Sequence, residues 1–473
     1  MRSELLQNAL TEIDPALIAR AAQIPPKNKK RRVIGWVSSL AAVLAIVITL
    51  SAILVVPTGY GYAVYAADYP DMASYPGSEW LPGFESRYDA WREDQKTQRS
   101  YFDKADLPQN FFTVTASAFL ENADGENLVY SPLNVYLALA MLAETADGTT
   151  REELLTLLGH ETITSLREAA NALWLSNYVD DGAVTSILAS SLWLDESLDY
   201  QKDTLKILAD SYYASSFSGE MGTNAYTKAF RNWLKQETGG QLDGYIDELS
   251  LTPETVMALA TTVFFQAKWE DEFRTQNTKP RIFHTPTGDE TRDFMHETVV
   301  YGNYYWGTRF SATKKDLEES GTVWFVLPDE GVTLSELLKD EETLAFLYAN
   351  GDWENQKSLR VNFALPKFEI SSRTDLSKGL KSLGVISCFD RENADFSSLL
   401  SDGTTAWLDK IEHAATVAID EEGVTAAAYT AMMMAGAAEP PEDEIDFTLD
   451  RPFLFVITAE DGSPLFLGTV NQP

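Results

Sequence analysis

Sixteen consecutive residues, Gly423 to Ala438, carry no charge in a chain that is otherwise heavily acidic. They sit inside DEEGVTAAAYTAMMMAGAAEPPEDE, Asp420 to Glu444, with carboxylates on both flanks. Ala and Met favour helix. Against that, Gly423 and Gly436 punctuate the run, Pro440 and Pro441 end it, and Val424, Thr425 and Tyr429 prefer extended backbone. Read with period two, one face holds Val424, Ala426, Ala428, Thr430, Met432 and Met434, and the other Thr425, Ala427, Tyr429, Ala431 and Met433. A strand without charge on either face can be buried on both, as in the middle of a covered sheet.

Composition leaves room for such a sheet. The chain has 473 residues, 45% hydrophobic and 23% charged, which suffices for a sizeable core. No internal repeat suggests a solenoid. The net charge is -34, and the first 32 residues hold seven basic against three acidic side chains, so the remainder stands at -38. Such a field keeps the protein soluble, repels nucleic acid and attracts cationic partners. The single Cys388 excludes an intramolecular disulfide and a cysteine metal cluster. His160, His284, His296 and His413 are too widely spaced for a zinc-binding pattern. HExxH, GxSxG, Walker A and GxGxxG motifs are absent, so neither catalysis, metal nor cofactor is expected.

Val33 to Val56 is a run of 24 residues without charge, roughly 36 Å long as a helix, which predicts a transmembrane anchor. The preceding KNKKRR, Lys27 to Arg32, holds residues 1–32 on the cytoplasmic side, so everything beyond Val56 is expected to be extracytoplasmic, at the cell surface. Cleavage near Ala66, after VYA, is the competing reading and would release the rest of the chain. Residues 57–109, rich in Tyr, Pro, Gly and Asp, read as a stalk or linker, although Trp80, Trp91 and several tyrosines give it material to pack with.

From residue 110 the periodicity is regular. FFTVTASAFLENA, SPLNVYLALAMLAETA, TREELLTLLG and YTKAFRNWLKQE have helical spacing, with Ser131 and Pro132 as a helix start. MALATTVFFQAKW, TVWFVLP, LRVNFALPKFEI, ATVAID and PFLFVITAEDGSPLFLGTV are strand-like, the last being two strands joined by DGS. Helices first and strands later predict an α+β domain over residues 110–473.

Several separated segments of that domain resemble one family, the serpins, in the family's own order. They are VYSPLNVYLALAMLAETADGTT, TTVFFQAKWEDEFRTQNTKPRIFH, LPKFEISSRTDLSKGLKSLGV, ADFSSL, IEHAATVAIDEEG, PFLFVI and LFLGTVNQP. The resemblance implies a large central β-sheet, additional sheets, about eight or nine helices and an exposed reactive-centre loop. It identifies the chain as a bacterial-type, membrane-anchored member, monomeric and not itself an enzyme. It also implies a function, suicide inhibition of serine endopeptidases. The loop is cleaved, the protease is trapped as an acyl-enzyme, and the cut loop inserts into the central sheet. That explains the uncharged run, since a charge buried unpaired costs several kcal/mol or more.

The resemblance assigns the hinge to Glu421, Glu422, Gly423, Val424, Thr425, Ala426, Ala427, Ala428, Tyr429 and Thr430. It puts the scissile bond between Ala437 and Ala438, with Met434 as the alternative. A small residue there suits elastase-like proteases, and Met434 would suit chymotrypsin-like or subtilisin-like ones. Papain-like cysteine proteases also pass through an acyl-enzyme and are further candidate partners. The sheet-opening region comprises Ser131, Asn134, Thr261, Trp269 and His413. Here Asn134 replaces a usual serine and Thr261 a usual asparagine, while Val424 replaces a usual Thr or Ser. The acidic stretch after the bond is longer than the family's. The alternative function is a non-inhibitory binding or chaperone protein at the cell surface.

Overall fold

The computed structural model describes residues 60–76, 83–105, 107–120, 125–401, 403–409, 411–424 and 441–473. Residues 1–32 and 33–56, expected to be a cytoplasmic segment and a membrane anchor, lie outside them, as do Thr425 to Thr430, Met434, Ala437 and Ala438 of the expected hinge and reactive bond. No helix among the described residues is long and apolar enough to cross a membrane.

The helices are α1 (Phe84–Arg99), α2 (Gln109–Phe119), α3 (Pro132–Thr145), α4 (Gly148–Leu158), α5 (Ile163–Asn177) and α6 (Lys202–Tyr212). They continue with α7 (Asn224–Glu237), α8 (Asp243–Ile246), α9 (Leu334–Leu337), α10 (Glu341–Tyr348) and α11 (Ser377–Ser382). These eleven, counted among the described residues, exceed the eight or nine expected. The surplus comes from α1 and from the four-residue turns α8 and α9, too short to show a period in sequence.

The first strands are β1 (Ala63–Tyr65), β2 (Leu128–Tyr130), β3 (Val179–Asp180), β4 (Thr185–Asp195), β5 (Ala214–Gly219) and β6 (Met257–Lys268). Next come β7 (Lys279–Thr285), β8 (Gly288–Trp306), β9 (Phe310–Asp316), β10 (Thr322–Pro328), β11 (Gln356–Pro366) and β12 (Phe368–Asp375). The last are β13 (Glu412–Ile419), β14 (Gly423–Val424), β15 (Glu444–Thr448), β16 (Phe453–Thr458) and β17 (Pro464–Val470). One sheet runs β1-β5-β4-β6-β14-β13-β12, with β3 on β4. The other runs β15-β11-β8-β9-β10-β16-β17-β2, with β7 on β8.

Each face of the central sheet is covered. Helix α3 is apolar almost all round and buries thirteen of its fourteen residues, as a helix enclosed by its own domain must. Its first turn lies under β6 and β13, held by a Ser131 N-cap. The amphipathic α7 packs Tyr226, Phe230 and Leu234 with Trp193 and Phe217 in a smaller, separate core.

Where a stalk is expected over residues 57–109, described residues from 61 onward pack on the domain. There β1 pairs with β5, extending the central sheet by one strand. Trp91 of α1 is buried and donates its indole N–H to Asp181 Oδ2 at 2.8 Å, and Gln98 donates to the carbonyls of Ser176 and Tyr178. Tyr69 packs against Trp174, Tyr178 and Tyr213. The composition of a linker hid aromatic side chains that each bury a large apolar area once a partner surface exists.

Candidate functional site

The uncharged run begins inside the central sheet. Strand β13 ends at Ile419, the chain turns through Asp420–Gly423, and β14 returns between β13 and β6. Val424 pairs with Ile419 on one side and Ala267 on the other, while Gly423 pairs with Lys268. Val424 is buried.

The turn is fixed from several sides. Asp420 Oδ1 accepts the backbone N–H groups of Glu422 and Gly423 at 2.9 and 3.2 Å. Trp269 donates its indole N–H to the Asp420 carbonyl at 2.9 Å and its backbone N–H to that of Glu422 at 3.0 Å. The N–H of Phe273 reaches the Glu421 carbonyl. The Glu421 carboxylate takes an ion pair from Lys367 at 2.7 Å and a hydrogen bond from Thr278 at 2.8 Å. Burial pushes its pKa up, but these bonds, a backbone hydrogen bond and the Lys367 charge together hold it below the ordinary value.

Gly423 matters for a reason beyond the backbone freedom expected of a hinge. A Cβ there would lie 2.3 Å from the Ala267 carbonyl oxygen and 2.7 Å from the Lys268 Cα. Only hydrogen fits where β14 meets β6.

Farther along the strands, the structure brings Ser131, Asn134, Thr261 and His413 together. Ser131 Oγ accepts the Asn134 N–H at 3.1 Å, and the Ser131 N–H donates to His413 Nε2 at 3.0 Å. The bond makes Nε2 the acceptor, so the ring is neutral. Burial pushes the His413 pKa down to about 4, in agreement. The Asn134 amide lies 2.7 Å from Thr261 Oγ1. With its NH2 toward that hydroxyl, its oxygen accepts the N–H groups of Thr262 and Val263 at 3.2 Å. The two departures from the family pattern therefore meet each other. The amide sits on the helix and the hydroxyl on the strand, joined by that hydrogen bond.

One helical turn thus holds β6 through Asn134 and β13 through Ser131, the two strands between which β14 enters. Trp269 is not part of this cluster; it holds the turn at Asp420–Gly423.

Sequence reasoning missed Lys367, Thr278 and the buried Lys315. Lys315 pairs with Glu297 at 2.7 Å, lies 4.4 Å from the Phe273 ring centroid and 5.6 Å from that of Trp269. The signal was present in SATKKD, because adjacent lysines in a strand point to opposite faces and one of them turns inward wherever one face is covered. Cys388 is fully buried, and burial pushes its thiol up to about 12, so it behaves as a small apolar side chain.

Beyond the undescribed residues, the chain rejoins the fold at β15, parallel to β11, with the Arg360 N–H on the Asp443 carbonyl at 3.0 Å. Residues 425–440 therefore connect the middle of one sheet to the edge of the other.

Comparison with known proteins agrees with this arrangement. The family profile Serpin (serine protease inhibitor) matches residues 108–473. Serpin-ZX of Arabidopsis thaliana is 29% identical over 74% of this chain and 93% of its own length. The plasma serine protease inhibitor of Mus musculus is 28% identical over 83% of this chain and 96% of its own. The crystal structure of the thermophilic serpin tengpin in the native state superposes with a TM-score of 0.67 at 27% identity, covering 78% of this chain and 95% of tengpin. These relatives include plant and animal proteins, and β1 and α1, which pack on the domain, precede the family match. The match over residues 108–473 shows that this chain belongs to the serpin family.

Proposed function

We propose that the chain is a suicide inhibitor of serine endopeptidases, with elastase-like enzymes favoured over chymotrypsin-like and subtilisin-like ones. The observation that carries this reading is β14. The residues that open the uncharged run already form a strand between β6 and β13. Continued in the same register, the run would descend β6 from Gln266 to Met257, with no charge to desolvate on either face.

Attack by the protease serine on the carbonyl before the scissile bond gives an acyl-enzyme and frees the downstream amine. Insertion of about fifteen residues at roughly 3.3 Å each would then drag the attached protease some 50 Å. Insertion has to outrun deacylation, and the energy for it is the stability the native sheet gains by acquiring a strand.

The uncharged run Val33 to Val56 behind its basic cluster supports a surface location with the inhibitory domain extracytoplasmic. The plant and animal relatives lend no support to a bacterial-type origin. Papain-like proteases are secondary candidates on chemical grounds alone.

The test uses the full chain in detergent with an elastase-like, a chymotrypsin-like and a subtilisin-like protease. Denaturing gels and intact-mass analysis should reveal a covalent adduct and a released peptide beginning at Ala438. Cleavage without adduct, together with no gain in heat stability of the cleaved chain, would show that the loop does not insert and would exclude inhibition by this route.

A further inference from the structure

Strand β7 lies at a sheet edge, paired with β8 alone among the described residues. Its register sets Lys279 opposite Phe294 and Arg281 opposite Arg292. Side chains alternate across a strand, so these four residues and His296, two places beyond Phe294, share one face. On that face Arg292 is occupied, because it pairs with Glu290 and donates to the Pro473 carbonyl. Lys279 and Arg281 are exposed, and neither has an ion pair or a side-chain hydrogen bond among the described residues.

The remaining carboxylates of this strand pair point away. Asp289, Asp293 and Glu297 fall on the opposite face, where Asp289 holds His284 and Glu297 holds the buried Lys315. The turn Thr275–Asn277 that leads into β7 carries no charge. Beside His296 stands Ala364 of β11, and beyond it Thr448 of β15. Apart from Glu290, the carboxylates this face reaches are Glu444 and Asp446 on β15, and both accept from the Asn362 side chain.

The chain has 71 acidic residues for 37 basic ones, and exposed cations elsewhere find partners, as Lys206, Lys357 and Arg373 do. Two unpaired cations and a histidine on one face run against that composition. They also repel one another. Burial, and then the charges of Arg281 and Lys279, push the His296 pKa below its ordinary value, so the three groups lie within each other's field. An anion seated among them would relieve the repulsion.

We propose that Lys279, Arg281 and His296 form a binding site for a phosphate or sulfate group. The guanidinium offers a planar fork of N–H donors to two oxygens of a tetrahedral oxyanion, and the ammonium adds a point charge on a flexible stem. The imidazole supplies a third charge once protonated. A bound dianion favours that protonated form, so affinity grows as pH falls below about 6.5. The site owes nothing to the inhibitor reading, since binding alone is measured.

The experiment labels the histidine rings of the full chain in detergent and follows them by NMR, with H296Q identifying the signal of His296. Sodium sulfate, whose charge is constant in this range, is titrated at fixed ionic strength between about pH 5.5 and 7.5. A saturable movement of the His296 signal is expected, with its titration shifted to higher pH. K279Q/R281Q should weaken binding roughly tenfold or more. K279R should keep affinity within about twofold. K202Q, at an exposed lysine of α6, should change nothing. Unchanged signals from the other three histidines check that each variant folds.

Inorganic phosphate, dextran sulfate and mixed micelles containing phosphatidic acid then distinguish a free ion, a polymer and a lipid headgroup as the source of the group. Saturable binding of any of these probes that K279Q/R281Q weakens upholds the site and identifies the source. Equal affinity of wild type and K279Q/R281Q for every probe that binds, or a His296 signal that drifts without saturating for all of them, would overturn it.

Discussion

At position 423 the hinge backbone passes so close to β6 that a methyl group would meet the Ala267 carbonyl oxygen at 2.3 Å. Relieving such an overlap typically costs about 1–3 kcal/mol, and the cost falls on the first residues of the entering strand. Gly423→Ala is therefore expected to divert the chain from trap to substrate, with several-fold more chain consumed per protease inactivated. An unchanged ratio, read by active-site titration, would mean the loop enters without seating β14. His413 makes a second prediction at this scale. Its pKa is pushed from 6.5 to about 4 in the folded chain. Between those values the unfolded chain binds a proton that the folded one does not, so stability rises with pH. The contribution is complete above pH 6.5 and lost as pH falls toward 4, worth about 3 kcal/mol over that window. The stability difference between wild type and His413→Gln should accordingly widen from pH 4 to pH 7. Unfolding rates in urea that differ by a constant factor across this range would assign the slope to other groups.

At the scale of elements, the first turn of α3 is tied to two strands through few contacts. Asn134 holds β6 and Ser131 holds β13 by way of His413. Neither Asn134→Ser nor Thr261→Asn alone keeps one amide opposite one hydroxyl. Each single change should destabilise the native state and speed its spontaneous conversion to a loop-inserted form. The double exchange N134S/T261N should recover most of the loss, with a coupling of about 0.5–3 kcal/mol. Additive single effects, measured by unfolding rates of all four proteins, would show that the pair does not act as a unit. The two residues were visible in sequence as departures from a pattern, yet their compensation was not, because 127 positions separate them and only the packing of α3 under β6 brings them to 2.7 Å. Strand β1, Tyr69 and helix α1 were hidden similarly: they read as linker until β5, Trp174 of α5 and Asp181 supplied their partners.

For the whole molecule, charge governs encounter before any bond is cut. A chain at -34 overall, with its acidic Glu439–Asp446 stretch beside the loop, should associate faster with a cationic protease than with an anionic one. Raising salt from about 0.05 to 0.5 M shortens the screening length from over 10 Å to under 5 Å, and the association rate should drop markedly. A salt-independent rate constant would remove electrostatic steering from the account. The sequence by itself determined the succession of helices and strands, the uncharged run with its hinge glycine, and the family to which they point. These are properties of local periodicity and of residue types in order, which survive without coordinates. Tertiary structure alone decided where β14 enters, which strand forbids a side chain at 423, how Asn134 answers Thr261, and that Lys367 holds Glu421. Each of these depends on a close approach between residues remote in the chain, and such distances exist only once both sheets and the helix beneath them have packed.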